Sequence, residues 1–251
     1  MVTLDITTYA VAALAVFLIS FMKGVFGGGL ALLGIPLLSL VMPPLQAGVL
    51  LAPLFIVMDV VALRYWKPST WSKPDPGWIL PAMIVGTALG YFFLSSISER
   101  GVALFIGLLT VVFTLHWFLS GAAITQRPRS AIKALLAGAG CGFTSMVAHA
   151  GGPPIALYLL PLGLPRAIYA GTTSIVFTFG NIIKLAPWFL IVTPSTNSWW
   201  LMLYLLPVVP IGVWVGWRLH NALSDQRLYR FCYALLLLVG LKLLYDSLTG
   251  G

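Results

Sequence analysis

Charge is what this chain has least of. Only 8% of its 251 residues are Asp, Glu, Lys or Arg, against about 25% in ordinary soluble domains. Six residues are acidic, 60% are hydrophobic, and the mean hydropathy is +1.00. Such a chain cannot cover itself with polar surface, which excludes a water-soluble enzyme or binding module. There are three histidines and two cysteines. Cys141 and Cys232 lie inside apolar segments without metal-ligand spacing, so they read as small buried hydrophobes. No phosphate-binding loop of the Walker type occurs, which argues against ATP-driven work by this chain alone. Apolar–polar alternation of the kind a β-barrel needs is missing as well. The N-terminal run has no basic stretch before it, so no cleaved signal peptide is expected. The net charge of +8 looks at first like a nucleic-acid signal. The basic residues instead gather in short links between apolar windows, and no nucleic-acid partner is expected.

What is present is a series of apolar windows of bilayer-crossing length. The chain reads as an all-α polytopic membrane protein of eight to ten membrane segments. It also repeats itself weakly. Pro81, Gly86, Gly90 and Ser98-Glu99 match Pro207, Gly212, Gly216 and Ser224-Asp225, each 126 positions on. Asp59 and Trp66 match Asn181 and Trp188 at a shift of 122. "GGGLALLGIPLL" (27–38) parallels "AHAGGPPIALYLL" (148–160). We read two repeats, about 8–120 and 131–247, dividing the chain into 1–120 and 121–251. Each holds one long broken segment (8–42; 131–161) and three spans (46–66, 77–95, 101–119; 167–192, 199–219, 228–247).

If each broken segment enters and returns as a hairpin, ten basic residues fall on one side and only Arg100 on the other. By the positive-inside rule the rich side is cytoplasmic. Both termini are then external and the repeats are inverted, a recurrent design of secondary transporters.

The breaks carry the chemistry. In "SMVAHAGGPPIALYLLP" (145–161), Pro153-Pro154 remove two donors and Gly151-Gly152 weaken the helix further. The chain must unwind around His149–Pro153, leaving a half-helix whose N-terminus favours anions. The first repeat has Lys23 and Gly27, Gly28 and Gly29 at the matching place. If the repeats are inverted, both breaks meet near the bilayer midplane around one electropositive pocket. The competing reading of the glycines is close helix packing.

Other polar residues fall inside spans. Asn181 and Lys184 share a helix face. Asp59 is a counter-ion for Lys23 or Lys184, or else a proton carrier. Thr172, Thr173 and Ser174 either reach an oxyanion or back-bond to their own helix. Trp66, Trp71, Trp78, Trp199 and Trp200 sit at span ends and read as interfacial anchors. His116 reads as structural, and Lys242 as snorkelling or pairing with Asp246. The candidate substrate-binding set is Lys23, Gly27, Gly28, Gly29, His149, Gly151, Gly152, Thr172, Thr173, Asn181 and Lys184, with Asp59 as counter-ion. No metal or cofactor is expected.

"KGVFGGGLALLGIPLLSL" with "GFTSMVAHAGGPPIALYLL" resembles the TauE/SafE family of membrane permeases over nearly the whole chain. The resemblance implies an inner-membrane transporter, without enzymatic activity, for sulfite, sulfonates such as sulfoacetate, or related small anions, with possible proton coupling. Its partners are then that anion and the bilayer, with the chain a monomer or homodimer. A passive anion channel, and an intramembrane enzyme using His149 with Ser145, are the alternatives.

Overall fold

The computed structural model describes residues 5–28, 33–119, 127–220, 222 and 225–249. Among these the regular structure is helical, without strands. The order is α1 (Ile6–Phe26), α2 (Gly34–Leu38), α3 (Pro44–Leu63), α4 (Pro74–Ser95), α5 (Glu99–Leu119), α6 (Ala131–Ala148), α7 (Gly152–Leu159), α8 (Arg166–Ile191), α9 (Thr196–Leu205), α10 (Val208–Leu219) and α11 (Asp225–Thr249). Seven helical stretches are long and apolar enough to cross a membrane, with α9 and α10 counted together. α11, at 25 residues, also has spanning length. The chain is a multi-pass helical membrane protein.

Local chemistry explains the ends. Asp5 caps α1 by accepting from Thr8 N at 3.2 Å, and Ser130 and Ser195 cap α6 and α9 in the same way. α1 stops at Gly27 in the left-handed region, φ 73°, whose N–H reaches back to Lys23 O. α6 stops at His149, also left-handed at φ 51°. One expected span differs. The stretch 199–219 is two helices, because Pro207 has no N–H to continue the ladder after Leu206.

Helices from the two halves of the chain exchange partners. α1 lies along α10, α6 along α4, α3 along α8 and α5 along α11. Glycines bring the first two pairs together. A Cβ on Gly86 of α4 would sit 1.9 Å from Ala139 O of α6, and one on Gly142 of α6 2.1 Å from Met83 O. A Cβ on Gly216 of α10 would sit 2.0 Å from Phe21 O of α1, and one on Gly24 2.2 Å from Val213 O. Backbones this close leave no room for a side chain, and in lipid, dispersion between them is a main source of helix association.

Gly86→Ala is therefore expected to destabilise by about 3 kcal/mol, since the obstructing atoms are backbone. Gly77→Ala, with nothing near its Cβ, is the control and keeps the wild-type melting temperature or raises it. Thermal unfolding of the two variants in detergent checks the difference.

Candidate functional site

One face of α8 organises the interior. Ala170, Ser174, Phe177, Asn181, Lys184 and Trp188 recur at alternating steps of four and three and are all buried. α3 carries residues 122 positions earlier, Gly48, Ala52, Phe55, Asp59 and Ala62, with Trp66 just past its end, all buried. The two stripes sit on helices that pack against each other, and both chain breaks dock around them.

The first break lies against α8. A Cβ on Gly27 would fall 1.7 Å from Ala170 O, and one on Gly28, φ 139°, 2.6 Å from the Phe177 ring. Only glycine combines these positive φ values with that approach. Gly29 lies outside the described residues. Side chains also donate to the carbonyls of the last turn of α1, Lys23 O receiving the Gly27 N–H as well. Trp66 Nε1 donates to Lys23 O at 3.1 Å, and His220 Nδ1 donates to Val25 O at 2.5 Å.

The second break lies against the same ring from another side. A Cβ on Gly151 would be 2.9 Å from Phe177 and 2.7 Å from Cys141 Sγ. Thr144 Oγ1, 2.9 Å from Ala150 O, bridges the bend. Gly152 begins α7, whose first turn offers N–H groups at Gly152 and Ile155 but none at Pro153 or Pro154. His149 is the only non-glycine at positive φ among the described residues. Its Nε2 lies 3.0 Å from Gly48 O. A carbonyl only accepts, so Nε2 carries the hydrogen and Nδ1 is the acceptor. The ring stacks on Trp188 at 5.2 Å between centroids and leans on Phe55 at 4.8 Å.

Three ionisable side chains lie fully inside this arrangement. Lys23 pairs with Asp59 Oδ1, and Asn181 Nδ2 donates to Asp59 Oδ2. Lys184 Nζ donates to Ser145 Oγ at 2.9 Å and to His149 Nδ1 at 2.6 Å. The Phe55 ring lies between the two lysines, 5.4 Å from Lys23 Nζ and 4.9 Å from Lys184 Nζ. The site thus holds two amines and one carboxylate. Trp188, whose ring stacks on His149, has a buried Nε1 with no hydrogen-bond partner, and Ser174 Oγ, further back along α8, is buried and unpartnered as well.

The candidate residues divide accordingly. Lys23, Asp59, His149, Asn181 and Lys184 are brought together, and Gly27, Gly28 and Gly151 form the walls where the breaks meet α8. The two threonines are occupied structurally. Thr172 Oγ1 accepts from Ser72 N at 2.8 Å, and Thr173 Oγ1 donates to Tyr169 O at 2.7 Å. Trp66 is buried at the end of α1 rather than anchored at an interface, whereas Trp78, Trp199 and Trp200 are half exposed. Lys242 pairs with Asp246, four residues on.

Three residues went unnoticed in the sequence: Phe55, Phe177 and Asp75. The first two were within reach, because extending the 122-residue shift from Asp59/Asn181 lands on Phe55/Phe177. Asp75 gave no such signal. It is buried at the start of α4, where Ser72 Oγ, Tyr158 OH (2.8 Å) and Arg129 Nε (3.5 Å) donate to it. That cluster ties α7 to α4.

Among curated proteins and among solved structures nothing matches this chain. A family model described as sulfite exporter TauE/SafE matches residues 12–243. That span holds both breaks, both α3 and α8 stripes and every buried charge of the site. The chain belongs to the sulfite exporter TauE/SafE family of membrane transporters.

Proposed function

We propose that this protein is a secondary transporter that exports a small sulfur-containing anion, sulfite or an organosulfonate such as sulfoacetate, coupled to protons. The observation that carries this reading is Lys184. It is buried on the face of a membrane helix, yet no carboxylate lies within ion-pair distance of it among the described residues. Intramembrane cations are costly and mark ligand or ion pathways. An oxyanion would supply the missing negative charge. Trp188 Nε1, one turn after Lys184, and the first-turn amides of α7 are the further donors for its oxygens.

Lys23 and Asp59 have a different part. Each neutralises the other, and Asn181 holds the carboxylate, so this group acts as the frame of the site and Lys184 as the anion's partner. The two breaks, the exchange of helix partners and the matched stripes of α3 and α8 favour two repeats, residues 1–120 and 121–251, inverted in the membrane. Rocking of one against the other gives alternating access. The charge of the loops orients both termini to the outside of a bacterial inner membrane.

Lys184→Met is expected to stay folded and to lower the unfolding free energy by only about 1–3 kcal/mol, the cost of leaving His149 Nδ1 without a donor. It is also expected to lose sulfite- or sulfoacetate-dependent thermal stabilisation. Wild-type protein is stabilised by those anions and less so by uncharged analogues. A lack of anion stabilisation in wild type refutes the reading, and proteoliposome efflux far above transporter rates without pH-gradient sensitivity replaces it with a channel.

Lys23→Met leaves Asp59 buried and unpaired, and is expected to cost about 3–5 kcal/mol. The double variant Lys23→Met/Asp59→Leu recovers most of that loss. Unfolding of the single and double variants in one detergent measures the coupling.

A further inference from the structure

We infer that Lys184 carries the coupled proton, arriving at the amine with the anion and leaving with it. The inference rests on the anion-transport reading above and assigns the coupling to one side chain. Its basis is a hydrogen-bond count together with a charge count.

Lys184 Nζ has two protein acceptors, Ser145 Oγ and His149 Nδ1. The acceptor role of Nδ1 is fixed from the other side of the ring, where Nε2 must donate to Gly48 O. A neutral amine has two N–H groups, and both are then satisfied. An ammonium has three, so protonation creates one further donor that the protein leaves unmatched. Charge points the same way. Lys23 and Asp59 cancel, and His149 in this tautomer is neutral, so the empty site is neutral only when Lys184 is an amine. A monoanion bound with one proton leaves the site neutral, and a dianion such as sulfite or sulfoacetate bound with one proton leaves it one charge short of neutral rather than two, which a water-poor interior favours.

The titratable and charged groups facing Lys184 are Asp59 on α3, Lys23 on α1, and Cys141 and His149 on α6. From α4, Met83 meets α8 at Gly180 and brings no charge. Asp59 is the other group able to carry the proton. Lys23 and Asn181 both donate to it as a carboxylate, and protonating it would leave Lys23 without its counter-ion.

The balance is simple. Lys184 as –NH2 takes one H+ and holds the anion as –NH3+ against an oxyanion. On the opposite side the anion departs and the proton follows it. No covalent bond forms or breaks. Anion and proton move in the same direction, so an inward proton gradient opposes export, and net export runs on the anion's own outward gradient.

The test counts protons. Purified protein is titrated with sulfoacetate and with sulfite, at an alkaline pH where both are fully deprotonated, in two buffers of different ionisation heat. The wild type is expected to take up about one proton per anion bound. Lys184→Arg, whose guanidinium cannot lose its proton, is expected to bind more weakly and take up none. Asp59→Asn is expected to retain uptake for whatever anion it binds. Wild-type binding without proton uptake overturns the inference, as does uptake that survives in Lys184→Arg or is lost only in Asp59→Asn. A wild type that binds neither anion removes the transport reading instead. If Lys184→Arg does not fold, wild-type proteoliposomes loaded with sulfoacetate and an internal pH dye decide. One proton leaving with each anion supports co-movement, and anion efflux without proton efflux overturns it.

Discussion

The interaction on which the interior depends is the buried ion pair between Lys23 and Asp59, completed by Asn181. It joins three elements at one point: the last turn of α1 just before the first break, α3, and α8. Neither charge has water to fall back on, so each makes the other's presence obligatory. The pair therefore does more than neutralise. It holds the end of a broken helix at a fixed height on the α3–α8 pair, and the glycines that follow can then lie flat against α8.

Backbone chemistry imposes the second constraint. A helix that ends inside lipid exposes carbonyls, and each must find a donor. The protein meets this requirement with indole, imidazole and hydroxyl groups. Trp66 and His220 serve the end of α1, and Thr144 serves the bend after α6. Phe177 fills the space between the breaks and touches Gly28 from one side and Gly151 from the other. The same helix that positions the breaks also presents Lys184, so the geometry of the bends and the placement of the unmatched amine have one cause. The α3 and α8 stripes correspond residue for residue but differ in charge. Ala62 stands on α3 where α8 has Lys184, and Asp59 where α8 has Asn181. Matched stripes with unequal charges leave one amine over, and the proposed anion site is that remainder.

Much of this was legible in the residues. The dearth of charge and the length of the apolar windows announce a helical membrane protein, because lipid admits few alternatives. The break at Gly151–Pro153 follows from proline and glycine chemistry, and the paired Asp59 and Asn181 from counting positions. The pairing of Asp59 with Lys23 rather than Lys184 was not legible, since both lysines stand within sequence reach of the site and only packing separates them. Thr172 and Thr173 illustrate the same limit. A hydroxyl beside a predicted site has several partners open to it, and the loop through Ser72 claimed one while the helix's own carbonyl claimed the other.

Sequence alone determined the solvent this protein lives in, the helical state of its spans and the two places where helix must fail, because those follow from hydropathy and from local backbone chemistry. Tertiary structure alone decided which groups meet: Lys184 with His149 and Ser145, Phe177 between the bends, Asp75 under Tyr158 and Arg129. Those contacts join residues far apart along the chain, and their choice depends on how closely glycine lets the helices approach, a distance that no local pattern encodes.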